Sequence, residues 1–274
     1  MQTVIIGKRS NLSRHLLGAI DDAVCVTASE AVEYLTQLDW QQHQSINLVL
    51  NQFQPATRLN DLSSPTDYVD NAIASTARIL QSIQSQTEKI NRIVYTSSSS
   101  VYGNNPDCKE SDIPAPISLH ATLKLANEKL ISYFCNYHTI DYTIARVFNM
   151  YAGEDEFSII SKVIRAVKQR HTINLINQGD AIRDFIHIDD VVYAYQQLLL
   201  IKPAEKIINI ASGQVVSVRM ILDYLLQHNI TVSTLNIDQD EIKTSIANND
   251  RLLSLLGSYR FQSVKDYVFD ELTI

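Results

Sequence analysis

Short runs rich in β-branched residues alternate with stretches of helical periodicity over the first 150 residues of this chain. Strands that alternate with helices predict βαβ units, and right-handed crossovers between them predict a parallel sheet with helices on both faces. The expected fold class is therefore α/β, a Rossmann-type doubly wound sheet. The predicted strands are TVIIG (3–7), AVCVT (23–27), INLVL (46–50), RIVYT (92–96) and YTIARV (142–147).

The helices between these strands are predicted from apolar residues that recur every three or four positions. Such spacing gives each helix one apolar face that can pack on the sheet. The three faces consist of Leu12, Leu16 and Ile20, of Val69, Ile73, Thr76, Leu80 and Ile83, and of Leu119, Leu123, Ala126, Leu130 and Phe134.

The order of predicted strands and helices changes after Tyr151, which predicts a second structural unit. A dinucleotide-binding domain is expected over residues 1–150, with a return segment at about 181–211. Residues 151–180 and 212–274 are expected to form a smaller α/β substrate-binding lobe. The elements predicted after residue 151 are a helix at about 157–170, a short strand at 172–176, a short strand at 207–210 within the return segment, and a helix at about 218–228.

The composition narrows the classes of partner. A net charge of -7 over 274 residues argues against a nucleic-acid surface, which is normally basic. No apolar run approaches the roughly 18 residues that span a bilayer, and the start MQTVIIGKRS lacks the features of a signal peptide. We therefore expect a cytoplasmic protein with no membrane or nucleic-acid partner. Three cysteines without CxxC or Cys/His spacing predict neither disulfides nor a metal site.

The segment VIIGKRSNLSRHLL follows the first strand and opens a helix, where a phosphate-binding loop lies in a Rossmann unit. Only Gly7 remains of the three glycines in that motif, and Ser10 and Ser13 stand at the other two positions. Serine is small enough to allow close approach of a pyrophosphate. The alternative is an ordinary turn between strand and helix. The candidate cofactor-binding residues here are Gly7, Lys8, Arg9, Ser10, Asn11 and Leu12.

The choice between NAD and NADP depends on the end of the second strand, where an acidic residue usually binds the ribose of NAD. That strand ends VCVTAS, and Thr27 and Ser29 are uncharged. Lys8 and Arg9 lie in the loop where a 2'-phosphate would approach, and cations bind phosphate through charge-assisted hydrogen bonds. NADP is therefore the expected cofactor, with NAD as the alternative. The alternative is that both cations are solvated residues of the loop.

Four ordered motifs carry a resemblance to a known family: RIVYTSSSSVYG, HATLK, ARVFNMYAG and GDAIRDFIHIDDVVYA. With them the chain resembles the extended short-chain dehydrogenase/reductase family, in particular its nucleotide-sugar epimerases, dehydratases and 4-ketoreductases. The resemblance extends from about residue 3 to residue 268. It implies a nicotinamide cofactor, a nucleotide-linked sugar substrate, and a homodimer formed through helices that include residues 121–137.

The resemblance also implies roles for single residues. Ser98 corresponds to the hydroxyl that hydrogen-bonds the reacting sugar oxygen, and Lys124 to the lysine that holds the nicotinamide ribose. Asn149 and Arg183 match residues that contact the substrate diphosphate. Internal pairing of Arg183 with Asp184 and Asp189 is the alternative.

Three further positions bear on the reaction. Asn71 matches an asparagine on the helix that faces the active site, although it fits a surface polar residue equally well. Ser99, a candidate substrate-binding residue, and Ser100 stand where the family's dehydratases carry Asp and Glu. Because loss of water from the sugar needs that second acid and base, a 4,6-dehydratase is disfavoured.

The family's catalytic tyrosine lies four residues before the lysine, and this chain has His120 there. In one interpretation His120 is the proton donor, as a neutral ring whose pKa Lys124 lowers from roughly 6.5. In a second, Ser98 or a bound water donates the proton. In a third, the protein binds a nucleotide or sugar nucleotide without turnover.

The presence of Ser98, Lys124, Asn149 and Arg183 together favours catalysis. The leading expectation is NADP-dependent reduction of a nucleotide-linked 4-keto-6-deoxysugar in sugar-nucleotide biosynthesis. The alternatives are an NAD(P)-dependent nucleotide-sugar epimerase and a non-catalytic binding protein.

Overall fold

The structure, a computed structural model, describes residues 1–51 and 63–273. Within those residues every helix is too short or too polar to cross a membrane. The strands are β1 (Gln2–Ile6), β2 (Ala23–Val26), β3 (Ile46–Leu50), β4 (Ile90–Ser98), β5 (Asp107–Cys108), β6 (Asp141–Val147), β7 (Asn149–Tyr151), β8 (Ile173–Ile176), β9 (Ile182–His187), β10 (Ile207–Ile210), β11 (Val215–Ser217), β12 (Thr234–Ile237) and β13 (Thr244–Ala247). The helices are α1 (Asn11–Ala19), α2 (Ala28–Gln37), α3 (Pro65–Val69), α4 (Ser75–Ser82), α5 (Leu119–Tyr137), α6 (Ile159–Gln169), α7 (Ile188–Leu200), α8 (Val218–Gln227), α9 (Asp250–Leu256) and α10 (Val264–Thr273).

The central sheet contains six parallel strands in the order β2-β1-β3-β4-β6-β10. Alternate residues of β1 enter different apolar clusters: Ile5 lies in one, and Val4 and Ile6 lie in the other. Helices therefore cover both faces of the sheet, because successive side chains of a strand point to opposite sides. The doubly wound α/β fold predicted from the strand and helix pattern is confirmed.

The remaining strands form two smaller sheets. One has the order β11-β9-β13-β5, with β7 also paired to β9, and the other joins β12 to β8. The apolar cluster that contains Ile5 also contains Leu12 from the first part of the chain and Leu225 and Val268 from the last part. One continuous interior is thus shared between the central sheet and the elements that follow it.

The helix predicted over 69–83 is divided. A π-helical turn, Asp70–Ala74, lies between α3 and α4. It widens the helix where the side-chain nitrogen of Asn127 on α5 donates to the Ala72 carbonyl oxygen at 2.7 Å. π-helical turns of this kind are commonly found next to functional sites.

The sequence pattern failed to predict α7. Most of its residues are buried, among them Asp190, Tyr195 and Leu198. A helix buried on most sides lacks the polar face that makes helical periodicity visible. The helix α2 was also missed, although Thr27 and Glu30 form a capping box at its start.

Candidate active site

Lys124 is fixed at the carboxyl end of β4 by α5. Its Nζ donates to the backbone oxygen of Thr96 at 2.7 Å, and its side chain is 7% exposed. Ser98, the last residue of β4, lies two residues beyond Thr96. The structure therefore brings Lys124 and Ser98 to the same strand end.

A buried ion pair holds α5 against the sheet. The register of β4 and β6 places Ser97 beside Arg146, and both side chains hydrogen-bond the Glu128 carboxylate. Arg146 binds it through two nitrogens, at 3.0 and 2.7 Å. Burial alone would lower the pKa of Arg146, but the hydrogen bonds and charge of Glu128 raise it above its ordinary value. Because Glu128 lies one turn after Lys124, this pair sets where Lys124 sits.

The Ser98 hydroxyl oxygen accepts two hydrogen bonds from Ser100. The backbone N–H of Ser100 donates at 3.2 Å and its hydroxyl at 2.9 Å. Since both contacts use the oxygen of Ser98 as acceptor, its own hydrogen is left to donate to a ligand. Ser99 is half-buried in the same turn.

His120 lies in the first turn of α5, whose start is capped by the Ser118 side chain accepting from the Ala121 N–H at 3.2 Å. Burial, reinforced by the positive charge of Lys124, lowers the pKa of His120 to about 4. Burial also lowers the pKa of Lys124 to about 7, against the opposing charge of Glu128. Near neutral pH the imidazole is therefore uncharged, and the lysine is the group of the two that titrates.

The loop after β1 leads through Gly7 directly into the start of α1. Gly7 has φ 128°, a conformation that residues with a side chain rarely adopt. Ser10 precedes α1 without a side-chain cap, so the first amides of that helix face the loop without a hydroxyl acceptor from Ser10. Lys8 and Arg9 are exposed beside it. An anion is the ligand that such a helix start favours.

The two serines that replace glycines share one partner. The Asn51 side-chain nitrogen, at the end of β3, donates to the hydroxyls of Ser10 at 2.9 Å and Ser13 at 2.8 Å. Ser13 is fully buried. The hydroxyls therefore tie the loop to the sheet.

The side chains of Asn11 and Leu12 both make contacts within the protein. The Asn11 amide donates to the Ala152 oxygen at 2.9 Å and accepts from the Glu154 N–H at 3.0 Å. Leu12 is 2% exposed within the core. Only the backbone amides of these two residues remain to meet a cofactor.

One acidic residue near the loop was missed. Glu30 accepts from the N–H of Thr27 at 3.0 Å and from its hydroxyl at 2.7 Å. These hydrogen bonds lower the pKa of Glu30, and the charges of Lys8 and Arg9 add to the effect. The signal that would have found it is the T-x-x-E capping box directly after the second strand.

The side chain of Asn71 makes its hydrogen bond within its own helix. Asn71 is exposed on the π-helical turn, and its side-chain nitrogen donates to the backbone oxygen of Asp67 at 2.8 Å. The neighbouring Ala72 is the residue that packs inward, under Asn127. This geometry supports the alternative in which Asn71 is a surface polar residue.

Asn149 and Arg183 lie on paired strands, β7 and β9. The side-chain amide of Asn149 donates to the backbone oxygen of Asp184 at 2.9 Å. Arg183 forms an ion pair with Glu241 at 3.2 Å, so the internal partner is neither Asp184 nor Asp189. Asp184 instead accepts from Ser212, through its N–H and its hydroxyl, and from the Gly213 N–H.

Comparisons with known proteins give a family match, similar chains and similar solved structures. A model described as the NAD dependent epimerase/dehydratase family matches residues 10–211. Protein CapI of Staphylococcus aureus is 32% identical over 148 residues, a match that spans 52% of this chain and 43% of that protein. The chain thus spans less than half the length of that relative.

A longer match joins the chain to the GDP-6-deoxy-D-talose 4-dehydrogenase of Aggregatibacter actinomycetemcomitans. It is 29% identical over 210 residues, covering 73% of this chain and 70% of that enzyme. Among solved structures, the UDP-glucuronic acid 4-epimerase of Bacillus cereus in complex with UDP-glucuronic acid and NAD superposes with a TM-score of 0.82. At 20% identity, the match covers 99% of this chain and 98% of that one, which shows a common fold.

Proposed function

The chain belongs to the NAD dependent epimerase/dehydratase family, and from that premise we propose that it reduces a nucleotide-linked 4-keto-6-deoxysugar with NADPH. One observation carries the proposal: the Lys124 ammonium group is buried at the Thr96 oxygen, two residues from the Ser98 hydroxyl. Burial of a cation costs free energy. A protein that only bound a nucleotide would have no chemical use for a lysine buried there.

The residues after β1 fit a nicotinamide dinucleotide. The uncapped start of α1 and the backbone at Gly7 suit its pyrophosphate. The exposed side chains of Lys8 and Arg9 would bind the 2'-phosphate of NADP. When bound, the reduced cofactor supplies the hydride.

The proton is supplied by this chain's own residues. The Ser98 hydroxyl donates a hydrogen bond to the sugar carbonyl oxygen and keeps its proton, since its two contacts with Ser100 use only its oxygen as acceptor. As that oxygen gains negative charge, the neutral His120 ring donates its N–H hydrogen. The other ring nitrogen takes a proton from Lys124, one helical turn away. Lys124 then regains its proton from solvent.

The proposal is tested by mixing the purified chain with NADPH and nucleotide-linked 4-keto-6-deoxysugars and following the absorbance of reduced nicotinamide. His120→Phe should lower kcat by roughly 10²-fold or more, because the proton path is removed. His138→Phe, at the other end of α5, is the matched control and should retain turnover.

One result would contradict the role of His120, and another would contradict the reductase activity itself. If His120→Phe retains turnover, Ser98 or a bound water donates the proton. A flat absorbance trace with every ketosugar, together with tight binding of the sugar nucleotide, would identify a non-catalytic binding protein.

The pH dependence should report Lys124. Its pKa of about 7 means that the ammonium form is lost as pH rises through neutrality, so kcat for reduction should fall there. His120, with a pKa of about 4, should add no change between pH 5 and 8. We expect a single titration near pH 7 in kcat, measured at saturating substrates. A rate that increases as pH rises through 7 would contradict Lys124 as the proton source.

An epimerase that retains NAD is the second candidate, and Glu30 favours it. The Oε2 atom of Glu30 is engaged by Thr27, which leaves Oε1 to accept hydrogen bonds from a ribose near Lys8 and Arg9. Under this alternative the purified chain would contain bound NAD and would interconvert two nucleotide sugars without added cofactor. Mass spectrometry of the denatured protein would identify the dinucleotide.

We also propose a homodimer formed through α5. Tyr133 and Tyr137 lie one turn apart on this helix and are 76% and 83% exposed. Exposed aromatic side chains on one helix face are typical of a subunit contact. Light scattering should give twice the chain mass of 30.9 kDa, and a monomeric mass would contradict the proposal.

A further inference from the structure

The guanidinium group of Arg183 is already bound to an anion of the chain itself. Its Nη2 lies 3.2 Å from Oε2 of Glu241, and its Nη1 donates to the Ile182 oxygen at 2.9 Å. The two paired side chains are 21% and 19% exposed. Carboxylate and phosphate groups bind the same face of an arginine. Glu241 thus stands where a phosphate ligand of Arg183 would stand.

Glu241 is held in this position by Asn177. The Asn177 side-chain nitrogen donates to Oε1 of Glu241 at 3.1 Å and to the backbone oxygen of Gln239 at 2.6 Å. Its side-chain oxygen accepts from the Gln239 N–H at 3.2 Å. The segment that carries Glu241 is therefore fastened next to Arg183.

The surroundings are also negatively charged. A cavity of about 750 Å³ lies beside this pair. Among the charged residues that line it, Asp180 is paired with Arg219. The remaining negative charges include Asp238 and Asp240, and the positive charge is that of Lys243. A diphosphate that enters meets like charge until the Glu241 carboxylate moves away. The cavity is lined by Asn177, Asp180, Ala181, Asp238, Gln239, Asp240, Glu241 and Lys243.

We propose that Glu241 is an internal competitor for Arg183, so that the substrate diphosphate binds only by displacing the Glu241 carboxylate. Glu241 then sets the affinity for nucleotide diphosphates without touching the reacting sugar. This inference rests on the proposed function and on the contact between Arg183 and the substrate diphosphate that the family resemblance implies.

The test is calorimetric titration of the full chain with UDP and with GDP. Glu241→Gln keeps an oxygen for Asn177 but removes the charge, and it should tighten nucleotide binding about fivefold. Asp240→Asn removes the same charge from the adjacent position. Arg183 pairs with Glu241 and not with Asp240 in the described part of the chain, so this control relieves only the general negative charge of the cavity and should tighten binding clearly less than Glu241→Gln. Arg183→Gln should weaken binding.

The outcomes separate the inference from the proposed function. Equal tightening by Glu241→Gln and Asp240→Asn would show a general effect of charge and would overturn the competition. Unchanged affinity in Glu241→Gln, with weaker binding in Arg183→Gln, would also overturn it, while Arg183 would keep its proposed contact. Unchanged affinity in Arg183→Gln, or no nucleotide binding by any variant, would remove that contact and the inference with it. Binding of NADPH, measured in parallel, shows that each variant is folded.

Discussion

Replacement of Lys124 by methionine should lower kcat by roughly 10²–10⁴-fold, the range that a positioned acid or base contributes. Methionine preserves most of the buried volume of the lysine stem but removes the ammonium group at the Thr96 oxygen. The proton source for His120 is then lost, while the apolar packing of α5 remains. The measurement is kcat for NADPH oxidation, with thermal unfolding of each variant recorded alongside.

Lys129→Met is the matched control, because Lys129 is exposed on the same helix. It should retain kcat. A Lys124→Met variant that turns over at the normal rate would exclude Lys124 from the reaction, whatever its effect on stability.

Replacement of Arg146 by leucine should reduce the free energy of unfolding by about 3–5 kcal/mol, because it leaves the Glu128 carboxylate buried without its counter-charge. The paired side chains are 2% and 4% exposed, so solvent cannot substitute for the lost partner. The arginine also packs over the Tyr102 ring at 4.7 Å, a contact that leucine replaces only in part. Urea unfolding measures the change.

An exposed ion pair provides the comparison. Lys168 and Glu271 lie 3.2 Å apart at 52% and 40% exposure. Lys168→Leu should change the free energy of unfolding by at most about 1 kcal/mol, since water screens such pairs. Equal effects of the two replacements would show that the Arg146 pair is not a buried support of α5. The double variant with Glu128 and Arg146 both replaced by leucine should recover part of the loss.

The strands of the central sheet were predictable because each is a short run rich in β-branched or other apolar residues that the sheet buries. β3 is buried at all five positions and shows this most clearly. Ser98 and Lys124 were also predictable as neighbours, since motif spacing places one at a strand end and the other on the next helix. The helix α7 was not, because burial on most sides removes its periodicity.

Pairs that are distant in the sequence escaped prediction for a different reason. Glu241 reaches Arg183 because β13 pairs with β9, and no local pattern specifies that pairing. From the sequence, Asn71 fits an active-site position and a surface position equally well, because a shift of one residue on a helix turns a side chain by about 100°. The structure shows the alanine inward and the asparagine in solvent.

The apolar cluster that joins Leu12 and Ile5 to Leu225 and Val268 has a practical consequence for anyone who wishes to exchange parts between related chains. Each half contributes only part of this cluster. Cutting the chain near residue 150 would therefore expose apolar side chains on both pieces and make them prone to aggregate. A chimera with a C-terminal half from another protein would also need apolar side chains that fit this cluster where the two halves meet.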